Sequence, residues 1–234
     1  MQKIIDSASA ALMSLPNWAE QLANLTRVAW SGDNGKCYFP YMPLTTADFW
    51  QKSIAKEWLN ESMYSWVMTN SDNIIISHVA LVNKGSFWEF GRWVAFPSAP
   101  KGITTTLCQA VMEFIRMKKL QIRVECTQAH TRSQAICERI GLRFAGIGIL
   151  KKVDDIWWDI IFFDNANLPD FCGQPGIIAN PLGNNVSNNI NAPERLRMIA
   201  NIISTEVGGA LPPQKFHILP RLEQTVRKII SLNT

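Results

Sequence analysis

Charge is scarce in this chain: only 18% of its 234 residues are Asp, Glu, Lys or Arg, and the net charge is +4. A balance this mild argues against the dense basic stripe of a nucleic-acid-binding surface, and it leaves room for an anionic small molecule. Histidine is scarcer still, at three, and the five cysteines (Cys37, Cys108, Cys126, Cys137, Cys172) are odd in number and widely spaced. No C-x-x-C pair occurs, so no metal is expected, and free thiols in a reducing cytoplasm are the natural reading. Long apolar runs are missing too. The N-terminal "MQKIIDSASAALMSLPNW" is broken by Asp6 and several serines, and no stretch reaches the roughly 18 apolar residues that cross a bilayer. A soluble, cytoplasmic protein with no membrane or nucleic-acid partner is expected. Against these absences stands bulk. The chain is 47% hydrophobic with nine tryptophans, enough to bury a core in one domain that carries an extension.

Periodicity divides the chain into elements. Residues 1–30 place Ala8, Leu12, Leu15, Trp18, Leu22 and Leu25 at three- and four-residue spacings, which predicts helix, split at Pro16. After a Gly/Asn/Pro loop, Thr45, Thr46 or Asp48 caps a predicted helix to about residue 59, with Phe49, Trp50, Ile54 and Trp58 on its apolar side. Three strand-like runs follow, "YSWVMTN", "NIIISHVALV" and "SFWEFGRWVAF", joined by turns at Ser71-Asp72-Asn73 and Lys84-Gly85-Ser86 that predict two hairpins. A helix over about 103–119, burying Leu107, Val111, Phe114 and Ile115, leads to the strand "QIRVECT". The helix "RSQAICERI", ended by Gly141, and the strands "RFAGIGIL" and "IWWDIIFF" complete the pattern. This is an α+β order around one sheet.

Beyond residue 163 the character changes. Residues 165–191 hold eight asparagines among prolines and glycines, with too few large apolar residues for a core of their own, and read as a linker. Helical runs are expected over 193–204 and 220–232. The division is therefore a domain at 1–163, a linker at 164–192 and a helical extension at 193–234.

The stretch "SAPKGITTTLCQAVMEF" carries the first functional signal. A helix that starts just after a strand, with a glycine at its mouth, presents unpaired N–H groups and the positive end of its dipole to an anion. Gly102 permits close approach, Lys101 adds charge, and Thr104, Thr105 and Thr106 offer hydroxyls. A plain helix start with threonine caps is the competing explanation.

Taken with "IRVECTQAHTRSQAICERIGLRFAGI", the order of strand, loop and helix resembles the GNAT superfamily of N-acetyltransferases. The family phosphate loop, Arg/Gln-x-x-Gly-x-Gly/Ala, aligns with Ala99-Pro100-Lys101-Gly102-Ile103-Thr104, where only the central glycine fits. A second family signature is echoed by His130, Ser133, Cys137 and Gly141-Leu142. The resemblance implies a mixed, mostly antiparallel twisted sheet flanked by helices, with the fourth and fifth strands splayed around an acetyl-coenzyme A or another acyl-coenzyme A. Pantetheine would pair with the backbone at Val94, Ala95 and Phe96. The pyrophosphate would rest on Lys101, Gly102, Ile103, Thr104 and Thr105, with Arg132 also on the cofactor. Glu89 stands where branches of the family keep a general base, Cys137 where many keep a proton-donating tyrosine, and His130 where an asparagine touches the cofactor. Against these roles stand a salt bridge of Glu89 with Arg92, a small buried filler at Cys137, and a helix-capping surface histidine at His130.

The acceptor implied is an amine on a small molecule or a protein, and a homodimer is compatible. The pair Glu89 and Arg92, in "EFGR", is also similar to acyl-homoserine-lactone synthases. A third reading, a non-catalytic coenzyme A-binding or protein-interaction module on the same fold, rests on the family positions that have changed.

Overall fold

The computed structural model describes residues 3–7, 11–30, 42–127, 130–153, 156–166, 177–178 and 216–217. The elements run β1 (Lys3–Asp6), α1 (Trp18–Trp30), a tight turn at Met42–Thr45, α2 (Ala47–Phe49), a wide helical turn at Trp50–Ile54 and α3 (Ala55–Leu59). Then come β2 (Met63–Thr69), β3 (Ile75–Asn83), β4 (Trp88–Ala95), α4 (Ile103–Met117), β5 (Ile122–Thr127), α5 (Thr131–Arg139), β6 (Arg143–Val153) and β7 (Ile156–Asp164). Two short strands, β8 (Ile177–Ile178) and β9 (Phe216–His217), complete the order. Among the described residues, one sheet holds nine strands in the order β1-β2-β3-β4-β5-β7-β6-β8, with β9 beside β7. Neighbours are antiparallel except β4 with β5 and β9 with β7. This is the α+β order that the sequence pattern predicts, with the mostly antiparallel sheet that the family resemblance implies.

The first thirty residues depart from that pattern. Lys3–Asp6 is a strand paired with Trp66–Thr69 of β2, and helix begins only at Trp18. The helical spacing of the leucines holds from Leu22 onward, but Ile4 and Ile5 are β-branched and find an open sheet edge, so tertiary pairing overrides local periodicity. Pro16 lies in the turn that precedes α1. The predicted hairpins form as expected, with Asn73 (φ 59°) and Gly85 (φ 84°) in the left-handed conformation that tight turns use.

Cores lie on both faces of the sheet. One face packs Leu107, Cys108, Val111 and Ile115 of α4 on Val79, Leu81, Phe90, Ile122 and Val124. Those α4 positions recur every three to four residues, which is why the segment buries a stripe. Phe114, expected in that stripe, is only half-buried and turns its ring edge toward Tyr64 and Trp66. The other face packs Leu22 and Leu25 of α1, with Trp50, Ile54 and Trp58, on Val67, Ile75, Ala80 and Val94. Each aliphatic side chain so buried contributes roughly 1.5–3 kcal/mol. The helical runs expected over 193–204 and 220–232, and most of the expected linker, lie outside the described residues. The parts that are described, β8 and β9, pair with Leu150 and Lys151 of β6 and with Trp157 and Trp158 of β7.

Candidate active site

The site is made by a fault in β4. Trp88 and Phe90 belong to the α4-side core, as do Trp93 and Ala95, so the alternation of the strand slips by one residue between positions 90 and 93. The register shows the same insertion: Ala80 pairs with Gly91, but His78 pairs with Val94. The extra residue is accommodated at Arg92, whose φ of 56° lies in the left-handed region that side chains other than glycine rarely enter. This is a β-bulge, and a bulge bends its strand. On the other edge, β4 is parallel to β5 only at Trp88–Ile122 and Glu89–Arg123. Beyond Glu89 the two strands part, and a gap opens.

Backbone groups of β4 face that gap. Phe96 N–H donates to Ile76 C=O at 3.1 Å, and Ala95 pairs with Ser77 one step earlier. In an antiparallel ladder the bonded positions alternate, so the N–H and C=O of Ala95 point away from β3 and into the gap. The chain then turns at once. Ala99 N–H donates to Phe96 C=O at 2.9 Å and Ile103 N–H to Pro100 C=O at 3.2 Å, which sets the mouth of α4 next to the end of β4. Gly102 adopts φ 85°, ψ −4°, and no side chain caps the helix. The first bond into the helix is Thr106 N–H to Gly102 C=O, 2.9 Å, so the amides of Thr104 and Thr105 have no acceptor within the helix. A Cβ at Gly102 would meet nothing within 4 Å. The mouth is open and bare, as an anion cradle requires.

Val94, Ala95, Phe96, Lys101, Gly102, Ile103, Thr104 and Thr105 are therefore brought together around the gap. Glu89 sits where β4 and β5 separate. By alternation its side chain is on the face of Val82, which packs toward α1. Lys84 Nζ lies 3.0 Å from its Oε2, an ion pair along the hairpin, and the Arg92 guanidinium reaches Met63 Sδ at 3.3 Å. Cys137 is fully buried in the α4-side core with Cys108 and Cys126, which puts it on the opposite face from Glu89. Burial pushes its thiol far up, with the neighbouring Cys126 and Cys108 adding to the effect. Cys126 is likewise pushed up to about 12 by burial and by Glu125. Cys137 is thus buried and its proton is held tightly.

His130 stands at the N-cap of α5 without capping a backbone amide. Its Nδ1 and Ser133 Oγ are 2.9 Å apart. Burial and then the Arg132 charge lower its pKa to about 4, so the ring is neutral at ordinary pH. Arg132 is exposed on the same turn.

Sequence reasoning missed one group. His78 is 1% exposed, and burial, then Arg92, lower its pKa to about 3. Its Nδ1 is 3.2 Å from the Arg92 carbonyl oxygen and its Nε2 is 3.1 Å from Ser65 Oγ. A lone histidine in the apolar run "IIISHVALV" gives no signal of this. Only the pairing of three strands brings these partners together.

A sheet split between its fourth and fifth strands thus stands beside an amide-rich helix mouth, a pairing of backbone donors suited to an anionic ligand. Comparison with known proteins gives the class. Residues 14–143 match the family described as "Acetyltransferase (GNAT) domain", more than half the chain, and the protein belongs to that family of acetyltransferases, which take an acyl-coenzyme A as cosubstrate. Solved structures share the fold at low identity. The ribosomal-protein-S5-alanine acetyltransferase of Vibrio fischeri is 15% identical, with a TM-score of 0.53 over 71% of this chain and 92% of its own. A variant spermidine N-acetyltransferase of Vibrio cholerae is 14% identical, TM-score 0.51, over 70% and 92%. The PaiA N-acetyltransferase of Thermoplasma acidophilum, solved with coenzyme A, is 12% identical, TM-score 0.50, over 70% and 98%. No curated protein matches the sequence. Among the described residues, no helix is long and apolar enough to cross a membrane.

Proposed function

We propose that the chain transfers an acetyl group from acetyl-coenzyme A to a primary amine, by direct attack of the amine on the thioester. The observation that carries this reading is the parting of β4 from β5 after Glu89, directly beside the open mouth at Gly102. The donor's pyrophosphate rests on the amides of residues 101–105, where Lys101 adds a positive charge. Its pantetheine arm pairs with the backbone edge that Ala95 turns into the gap. The bound thioester supplies an electrophilic acyl carbon.

The acceptor approaches from the α1 face, where Glu89 accepts a proton from the amine as general base; the C–N bond forms, the thioester C–S bond breaks, and coenzyme A leaves as a thiolate that takes up a proton from solvent. A backbone N–H of the β4 edge stabilises the oxyanion that develops. Most of the rate comes from holding amine and thioester together. His130 and Arg132 line the donor end of the site, and Cys137 holds α5 against the core. Residues 1–163 form the transferase domain in this reading. The free thiols at Cys108, Cys126 and Cys137 suit a reducing compartment such as the cytoplasm.

Two of the neighbours named above are a ribosomal-protein-S5-alanine acetyltransferase and a spermidine N-acetyltransferase, so protein and polyamine amines both belong in the assay. The test is a melting curve with and without acetyl-coenzyme A, followed by acetyl transfer to a panel of polyamines and peptides. A donor held at a hundredfold its Kd stabilises by about 2.7 kcal/mol, which raises the melting temperature by several degrees. An unchanged melting temperature at millimolar donor overturns the proposal.

A further inference from the structure

We infer that His78 is a positioning residue: it latches the β4 bulge in place, and through it sets the gap that receives the acyl donor. This rests on the donor reading above. The chain of bonds has one consistent arrangement. The Arg92 carbonyl can only accept, so Nδ1 of His78 carries the hydrogen and donates to it at 3.2 Å. Nε2 is then a bare lone pair, and Ser65 Oγ, 3.1 Å away, donates its hydroxyl hydrogen there. The same Oγ accepts from Trp58 Nε1–H at 3.1 Å. Every polar atom in this chain of bonds has a partner, and His78, Ser65 and Trp58 are all buried.

The network is braced from outside the sheet. Trp50 meets the imidazole edge-on, ring centres 5.3 Å apart, and ties its own indole N–H to Leu44 C=O at 2.8 Å. Ser65 exchanges backbone and side-chain bonds with Ser7 at the end of β1, each 2.8 Å. The wide turn at Trp50–Ile54 is the segment that carries Trp50 to this position.

What the latch holds is a strained residue. Arg92 sits at φ 56°, a conformation that an arginine leaves unless its surroundings fix it. It is also the inserted residue of the bulge, and the strands part just before it. A neutral, fully satisfied imidazole on its carbonyl is such a fixture. The Arg92 charge faces the ring as well, which favours the neutral imidazole over the protonated one.

The experiment compares wild type, His78→Phe and Ser65→Ala, each first shown folded by near-ultraviolet circular dichroism. Amide hydrogen exchange at residues 91–94 is followed without ligand, and coenzyme A is titrated by calorimetry. In His78→Phe, exchange at the bulge is expected to accelerate and the affinity to fall by about tenfold, the loss that one buried hydrogen bond accounts for. Combining it with Arg92→Gly is expected to restore most of the affinity, since glycine takes the left-handed conformation without strain. A merely structural histidine gives no such rescue. If His78→Phe does not fold, Ser65→Ala carries the test, with faster exchange at 91–94 and a loss of about threefold. Unchanged exchange and affinity in either folded variant overturn the inference. A wild type that does not bind coenzyme A sinks the donor reading instead, and the exchange measurements then decide on the latch alone.

Discussion

Two substitutions at Gly102 separate backbone strain from charge. The residue sits at φ 85° with open space where a Cβ would go, so Gly102→Ala clashes with nothing but pays for the left-handed conformation, about 1–2 kcal/mol. In a chain of this size each kcal/mol lowers the melting temperature by about 2–4 °C, so alanine is expected to cost roughly 2–8 °C in total. Gly102→Asp pays a similar backbone cost and adds a carboxylate at the helix mouth. Two unit charges about 7 Å apart, at an effective dielectric near 20, repel by about 2.4 kcal/mol. Screening over a Debye length of about 8 Å removes part of this, while the second charge of a pyrophosphate restores it.

The expected loss of coenzyme A affinity in Gly102→Asp is therefore about 2–3 kcal/mol, on the order of thirty- to 150-fold. Gly102→Ala should lose no more than about threefold, because it keeps the amides and adds no charge. Calorimetric titration of both variants, at low and at high salt, reads the difference. The aspartate penalty should shrink as salt rises, and the alanine effect should not. If the two variants bind alike at low salt, the phosphates do not sit at this mouth and the cradle is misplaced.

Glu89→Gln is expected to leave coenzyme A affinity unchanged and to lower kcat by about 10²–10⁴-fold; full activity in steady-state assays would remove Glu89 as the base. His78 carries a folded pKa of about 3 against an ordinary 6.5. Between these values the unfolded chain binds a proton that the folded chain refuses. Its share of stability is complete above pH 6.5 and drains as pH falls through that window, by about 1.4 kcal/mol per pH unit. His130, at about 4, adds to the slope in the upper part of the window. Urea unfolding at a series of pH values should show the slope reduced in His78→Phe, and an identical slope would count against a buried neutral ring. Arg123 and Asp164 are 1% and 2% exposed, 3.5 Å apart, with the guanidinium stacked by Phe87 and Phe162. Asp164→Ala leaves that cation buried without its carboxylate and should cost about 3–5 kcal/mol by urea unfolding; a loss below about 1 kcal/mol would show that the stacking alone suffices.

Elements with strong internal rhythm are legible in the sequence alone. The stripe of α4, the two hairpins and the strand runs of β2 and β3 follow from spacing and turn chemistry, and the glycine at the α4 mouth follows from what a helix start leaves unpaired. Lys3–Asp6 was not legible, because its strand state depends on a partner sixty residues away. Neither was the bulge. "WEFGRWVAF" reads as unbroken strand, and the inserted residue declares itself only when β3 supplies a register to compare. His78 was invisible for the same reason, since its meaning lies in the Arg92 carbonyl and the Ser65 hydroxyl, one from each adjoining strand. Nor could spacing show that Glu89 meets Lys84 along the hairpin or that Arg92, at the kink, reaches Met63.

β5 ends at Thr127, yet β7 does not run on alone: Phe216–His217 joins it at Trp157 and Trp158, while Ile177–Ile178 joins β6 at Leu150 and Lys151. Both outer rows of the β6–β7 hairpin are thus matched by dipeptides drawn from the last quarter of the chain. An unmatched row of amides is a template for a second molecule, and here the molecule has answered its own template. A gene trimmed at the end of β7 would accordingly yield a hairpin inviting foreign strands where a minimal transferase was wanted. The seam between catalyst and tail that composition draws at residue 163 is not a seam in the hydrogen bonding.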